Sequence, residues 1–174
     1  MKKVVLLLVA ISLLVTPVVA FADLKTAEKD VFEDFKKAIP ADRIKTVDEL
    51  FEKWLEIKSG KSSAVILDVR TEFEFNDGHI FGSSNLDSGM VYTMPERFTD
   101  PNTEIWVFCR TAHRSTYFVG MLYKYGYKNV NLVKDGISGW AQKGYPLFNT
   151  YLGEVKVTKY EKKLKEEYLY RDNK

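Results

Sequence analysis

Short apolar runs separated by segments of helical period set the pattern of this chain. Ala64-Val65-Ile66-Leu67-Asp68-Val69 and Ile105-Trp106-Val107-Phe108 are nearly unbroken in their apolarity. Runs this short and this rich in β-branched and aromatic residues predict strands. Continuous rather than alternating apolarity predicts strands covered on both faces, as in a parallel sheet. Residues 129–133 repeat the pattern, and shorter strands are expected at 43–45 and 84–86. Thr46-Val47-Asp48-Glu49 has the form of a capping box, in which the Thr and Glu side chains satisfy each other's backbone N–H groups. It opens a predicted helix to Lys58, buried through Leu50, Phe51, Trp54, Leu55 and Ile57. Residues 115–125 predict a helix closed by Gly126, residues 137–143 a shorter one, and residues 71–78 a short polar helix or turn ending at Asp77-Gly78. Residues 87–102 are expected to be irregular. Strands alternating with helices predict an α/β domain, with a mostly parallel central sheet flanked by helices on both faces. Its site is expected at the carboxyl ends of the strands.

The flanks differ from this core. Leu24, Ala27, Val31, Phe35 and Ala38 recur at helical spacing, Phe32 and Ile39 widen the face, and Pro40 ends it. Residues 23–42 are therefore expected to form a helical extension packed on a domain spanning 43–148. Residues 149–174 are a charged C-terminal extension rich in Lys, Glu and Tyr. A helix is expected there, with Val157, Tyr160, Leu164 and Tyr168 on one face.

Residues 1–22 read as a secretory signal peptide. Met1-Lys2-Lys3 is a positive start, residues 4–19 are apolar apart from Ser12, Thr16 and Pro17, and Ala20-Phe21-Ala22 is a small-x-small cleavage site. An uncleaved membrane anchor is the alternative, since the uncharged stretch nearly reaches spanning length. Pro17 and the Ala-Phe-Ala site favour cleavage after Ala22. The expected location is periplasmic or secreted, with no stable membrane association after cleavage.

The 174 residues, 45% of them hydrophobic, suit one domain. Lys2 and Lys3 account for the excess of 26 basic over 24 acidic residues, so the mature chain is balanced. A neutral chain offers no electrostatic reason to bind nucleic acid. One cysteine and two distant histidines give no metal-ligand spacing, and neither a metal nor another cofactor is expected. A lone thiol in an oxidising compartment cannot form an intramolecular disulfide, which favours a reactive role.

That thiol is Cys109, in the run Cys109-Arg110-Thr111-Ala112-His113-Arg114-Ser115. A strand leads in and a helix leads out. Such a loop turns successive backbone N–H groups inward, the helix start adds partial positive charge, and Arg110 and Arg114 add more. These surroundings are expected to lower the thiol's pKa and to hold an anion against it.

With these residues in place, the chain resembles the rhodanese family of single-domain sulfurtransferases. Leu67-Asp68-Val69-Arg70, Glu74-Phe75 and Gly78-His79-Ile80-Phe81-Gly82-Ser83-Ser84-Asn85 are similar to the family's first signature. Cys109 through Ser115 is similar to its active-site loop. Val133-Lys134-Asp135-Gly136-Ile137-Ser138-Gly139-Trp140 with Gly144-Tyr145-Pro146 is similar to its C-terminal signature. Two positions depart from the family pattern. Ala112 stands where Gly is common, at a cost of about 1 kcal/mol if φ is positive. Asp135 replaces the first Gly of a pair, and Asp enters the left-handed region more readily than most residues. Four residues separate Cys109 from Arg114. That is the sulfurtransferase interval, one residue shorter than in the phosphatases and arsenate reductases of this fold.

The resemblance implies that Cys109 attacks the outer sulfur of thiosulfate or polysulfide, carries it as a persulfide and yields it to a thiophilic acceptor. Arg110 is expected to face the pocket and bind the donor anion. Arg114 is expected to hydrogen-bond loop carbonyls or a neighbouring carboxylate. Thr111, Ala112 and Ser115 shape the substrate cradle, and His113 either tunes its charge or is a solvated loop residue. Asp68, Arg70, Glu74 and His79 are read as architecture, with Arg70 paired to Glu74 and His79 satisfying backbone groups rather than acting as a base. Met90, Tyr92 and Met94 either wall the pocket or form a satellite cluster. The alternative function is a sulfur carrier that hands persulfide to a partner protein without turnover. A phosphatase or arsenate reductase is disfavoured by the loop length. The expected partners are small sulfur anions and a protein sulfur acceptor.

Overall fold

A computed structural model describes residues 23–155 and Val157. The expected leader at 1–22, and Tyr160, Leu164 and Tyr168 of the expected C-terminal helix, lie outside the described residues. Helix α1 (Leu24–Lys37) starts at Asp23, whose carboxylate accepts from the Lys25 N–H. Strand β1 (Ile44–Lys45) leads into α2 (Val47–Lys58), which has both halves of the Thr46–Glu49 capping box. Strand β2 (Val65–Asp68) leads into α3 (Glu72–Asp77), started by a second capping box between Thr71 and Glu74. After β3 (Ser84–Asn85), a 3-10 segment at Ser88–Thr93 runs into the short helix α4 (Met94–Arg97), where irregular chain was expected. Then come β4 (Ile105–Phe108), α5 (His113–Tyr125), β5 (Val130–Val133), α6 (Gly136–Gln142), β6 (Leu147–Asn149) and β7 (Gly153–Val155).

The first five strands form one parallel sheet in the order β1-β5-β4-β2-β3. The alternation of β4 divides the core between its two faces. Ile105, Val107 and Cys109 pack with Leu67, Val69 and Leu132, beneath Phe118, Val119 and Leu122 of α5. Trp106 and Phe108 pack with Ile66 and Val133, against Leu50 and Trp54 of α2 and Trp140 of α6. Each large apolar side chain buried this way contributes about 1.5–3 kcal/mol. All four β4 residues are buried, as its continuous apolarity predicts.

Helix α1 docks on α5 at Gly120. A Cβ there would lie 2.5 Å from the Phe35 carbonyl oxygen, so only glycine admits the approach. Tyr117 meets the edges of Phe32 and Phe35 beside this contact. Lys124 Nζ reaches Asp34 at 2.6 Å. The expected contact face needs correction: Leu24 and Val31 are 83% and 49% exposed. The aromatic residues that flank the backbone approach carry the contact, and the outer apolar positions stay in solvent. Leu55 of α2 is likewise exposed.

The expected helical extension from residue 149 also needs correction. Strands β6 and β7 form an antiparallel hairpin. Its turn is set by Asn149, whose side-chain oxygen accepts from the N–H groups of Tyr151 and Leu152, and by Gly153 at φ +80°. The hairpin docks on α3 through the Thr150 N–H to Asn76 carbonyl bond and the reciprocal His79–Phe148 backbone pair. The folded domain thus continues past the expected boundary at 148.

Candidate functional site

Strand β4 ends at Phe108 and delivers Cys109 to the carboxyl edge of the sheet. The next residues turn through Ala112, at φ 74°, into α5. The positive φ is the one anticipated if Ala112 replaces glycine. Cys109 is a free thiol, only 1% exposed. The fully buried Ser115 directs its hydroxyl at the Cys109 sulfur (3.5 Å) and at the Ala112 carbonyl (3.1 Å).

The Cys109, Arg110 and Ala112 carbonyls are bonded outward. Ile137 N–H donates to the Cys109 carbonyl at 2.9 Å and Ser138 N–H to the Arg110 carbonyl at 3.1 Å. The Ala112 carbonyl accepts from the Thr116 N–H and the Thr116 hydroxyl. Among the described residues, the backbone N–H groups of residues 110–115 have no backbone or side-chain acceptor. Six amides in one turn, with the start of a 13-residue helix, can hold an anion. Gly136 makes the outward bonding possible. At φ +53°, its Cβ would lie 2.3 Å from the Cys109 carbonyl oxygen. Asp135, the departure from a Gly-Gly pair, adopts the left-handed conformation at φ 65° as expected.

Arg114 closes the loop. Its two terminal nitrogens donate to the two Glu74 carboxylate oxygens at 2.7 and 2.9 Å. The hydrogen bonds from Arg114 hold the Glu74 carboxyl down at about 2, against a smaller upward push from burial. Glu74 in turn raises Arg114, and the neighbouring Cys109 sulfur adds to that rise. Arg114 therefore ties the loop to α3 through a neighbouring carboxylate, as expected.

The expected Arg70–Glu74 pair does not form. Arg70 precedes the N-cap Thr71, so its side chain turns inward and not along the helix. Its Nη2 donates to Asp68 at 2.6 Å and to the Gly78 carbonyl at 2.7 Å. Burial pushes the Asp68 carboxyl up, and the Arg70 hydrogen bonds and charge oppose that push. Asn85, not singled out from sequence as a separate contributor, donates to the carbonyls of Asp68 and Arg70 and so pins the end of β2. His79 is 8% exposed and stacked on Phe75. Its Nδ1 lies 2.9 Å from the Phe75 carbonyl, which can only accept, so Nδ1 carries the proton.

The remaining loop residues separate. Arg110 lines a groove with Glu74, Asp77, Ile137 and Ser138. Thr111 lines a second depression with Asp135, Ser138 and Gln142. His113 faces α1 instead, stacked on Phe32 with ring centroids 4.9 Å apart and with Nε2 3.5 Å from Glu28. As the first residue of α5 it turns its ring to the α1 contact, while its backbone N–H stays among the free amides of the turn. Met94 is fully buried in the α5-side core, while Met90 and Tyr92 are exposed.

Comparison with known proteins follows this geometry. The rhodanese-like domain family matches residues 51–143, more than half of the chain. A Schizosaccharomyces pombe protein with the provisional name mitochondrial thiosulfate sulfurtransferase is 32% identical over 97 residues, covering 49% of this chain and 68% of that one. The rhodanese-like domain of the Anabaena sp. Alr3790 protein superposes with a TM-score of 0.54 at 20% identity, covering 75% of this chain and 98% of that one. A Rhodopseudomonas palustris protein of unknown function, suggested as a tyrosine phosphatase, gives a TM-score of 0.56 at 24% identity, covering 68% of this chain and 92% of that one. These two structures show the shared fold. With its parallel sheet, its signature order and this match, the chain belongs to the rhodanese-like domain family, among relatives that include sulfurtransferases.

Proposed function

We propose that this protein moves a sulfane sulfur from a small sulfur anion, such as thiosulfate or polysulfide, to a thiophilic acceptor through a persulfide on Cys109. The observation that carries this reading is the position of the thiol. Cys109 lies at the base of a turn whose Cys109, Arg110 and Ala112 carbonyls are bonded to α5 and α6 and whose amides at 110–115 have no acceptor among the described residues and can take an anion.

The Cys109 thiolate attacks the outer sulfur of thiosulfate. A sulfur–sulfur bond forms, and the bond to the sulfonate sulfur breaks with its electron pair leaving as sulfite. The free amides stabilise the anionic persulfide. A second thiophile, such as cyanide, sulfite or a thiol, then takes the outer sulfur and regenerates the thiolate. The four-residue interval between Cys109 and Arg114 supports sulfur transfer over phosphoryl or arsenate chemistry through the family resemblance.

The test is thiocyanate formation from thiosulfate and cyanide. Wild type is expected to turn over and Cys109→Ser to lose activity while keeping its thermal melt. Undiminished thiocyanate formation by the serine variant contradicts the proposal. Discharge of a loaded Cys109 to a partner protein, without turnover on any small acceptor, would indicate the carrier instead.

We also propose that the protein is exported and cleaved after Ala22, on the leader pattern of residues 1–22. N-terminal sequencing of material from the native host is expected to begin at Asp23. A start at Met1 in the membrane fraction indicates an anchor.

A further inference from the structure

The Ala112 carbonyl faces more donors than it can serve. A carbonyl oxygen has two lone pairs. The Thr116 N–H takes one at 2.9 Å and the Thr116 hydroxyl takes the other at 2.8 Å. The Ser115 hydroxyl stands third, at 3.1 Å. Thr116 is buried, and its hydroxyl has no other acceptor among the described residues. Ser115 does have another. The Cys109 sulfur lies 3.5 Å from its oxygen, within hydrogen-bond reach of an atom as large as sulfur. Ser115 is fully buried, so bulk water cannot take its proton. The hydroxyl is therefore left to the sulfur.

The two states of that sulfur differ as acceptors. A thiolate carries a full charge, and a hydrogen bond to a charged group is about twice as strong as one between neutral groups. In a persulfide the inner sulfur is bonded on both sides, and the charge moves to the outer sulfur, where the free amides of the turn can take it. A hydroxyl aimed at the inner sulfur thus favours the thiolate over the persulfide. Arg114 is the charged group that faces the same sulfur, and Glu74 holds it in place.

We infer that Ser115 donates a hydrogen bond to the Cys109 thiolate and thereby speeds discharge of the persulfide, not its loading. This inference rests on the persulfide reading of Cys109. In discharge to cyanide, a carbon–sulfur bond forms at the outer sulfur. The sulfur–sulfur bond breaks, its electron pair stays on the inner sulfur, and thiocyanate departs. Two negative charges enter, on the persulfide and cyanide, and two remain, on thiocyanate and the Cys109 thiolate. The Ser115 proton stays on its oxygen throughout. Charge builds on the Cys109 sulfur in this step, and a better-stabilised thiolate leaves faster. In loading the thiolate gives up its charge, so the same hydrogen bond makes it a weaker nucleophile.

The test is the single-turnover rate of loading by thiosulfate and of discharge by cyanide, with the pH midpoint of Cys109 alkylation by iodoacetamide measured beside them. Ser115→Ala is expected to raise that midpoint by about one pH unit. Above both midpoints its loading is expected to be about threefold faster and its discharge at least about threefold slower. The discharge-to-loading ratio thus falls about tenfold. A fraction of protein that does not fold drops out of this ratio. Thr116→Val carries the same test without touching Ser115. It frees a lone pair on the Ala112 carbonyl, which draws the Ser115 proton from sulfur, and the ratio is expected to fall by at least about twofold. An unchanged ratio in Ser115→Ala, or in Thr116→Val should Ser115→Ala not fold, overturns the inference and leaves the persulfide reading intact. Equal slowing of both steps with an unmoved midpoint also overturns it, since that pattern marks packing alone. Failure of wild type to load from thiosulfate or polysulfide overturns the persulfide reading itself.

Discussion

Arg114 grips Glu74 with both terminal nitrogens, Nη1 to Oε2 at 2.7 Å and Nη2 to Oε1 at 2.9 Å, across 40 residues of sequence. The same Glu74 carboxylate accepts from the Thr71 N–H and hydroxyl, so one side chain starts α3 and holds the Cys109 loop. The loop is thus fixed from two sides, by α3 through Glu74 and by α6 through the amides of Ile137 and Ser138.

This pair predicts a pH-dependent stability difference. The folded-state pKa of Glu74 lies near 2, below its ordinary 4.5. Its contribution is therefore full above pH 4.5 and is lost as pH falls toward 2. After allowance for its partial exposure, Glu74→Gln is expected to destabilise by about 1–2 kcal/mol at pH 7. Urea unfolding of both proteins at stepped pH should show that gap narrowing below pH 4.5. A gap that stays constant to low pH contradicts the assignment.

The two arginines should separate in a paired measurement. Arg114→Ala is expected to lower the thermal midpoint, because it breaks the tie to α3. Arg110→Ala, which has no carboxylate partner among the described residues, is expected to keep the midpoint and raise donor KM. The loss is about 1.5–3 kcal/mol where the site is dry and less where it is wet. The reverse pattern would exchange their roles.

Gly136 predicts a steric contrast. Its added Cβ would strike the Cys109 and Arg110 carbonyls, whereas Gly60, at φ +73°, has open space around it. Gly60→Ala is expected to cost about 1 kcal/mol from backbone conformation alone. Gly136→Ala is expected to cost about 3 kcal/mol or more and to slow Cys109 loading. Equal melts for the two variants would contradict the proposed packing of α6 on the loop.

Gly120 tests whether α1 is integral to the domain, since the family match begins only at residue 51. Gly120→Ala places a methyl 2.5 Å from the Phe35 carbonyl and should lift α1 from α5. Amide exchange across Leu24–Lys37 is expected to quicken markedly, with a loss of about 2 kcal/mol. Unchanged exchange in that helix would contradict the docking.

Much of this was legible from pattern. The unbroken apolarity of Ile105-Trp106-Val107-Phe108 announces a strand covered on both faces, and Thr46–Glu49 announces a helix start; both form. Pairing was less legible. Arg70 and Glu74 stand at helical spacing, yet the helix begins only after Thr71, so Arg70 turns inward to Asp68. Glu74 finds a partner that local spacing cannot reveal. The β6–β7 hairpin was hidden because its short turn, set by the Asn149 side chain and Gly153, stands directly before the Lys- and Glu-rich residues that carry the helical spacing. His113 reads as a loop residue until α1 brings Phe32 over its ring.

The most direct test of the central claim is intact mass spectrometry of the protein incubated with thiosulfate, with Cys109→Ser treated in parallel. The wild-type chain is expected to gain the mass of one sulfur atom, to lose it on addition of cyanide, and to release one equivalent of thiocyanate. The serine variant is expected to gain nothing. A sulfur adduct on the serine variant, or no adduct on wild type from thiosulfate or polysulfide, would contradict persulfide chemistry at Cys109.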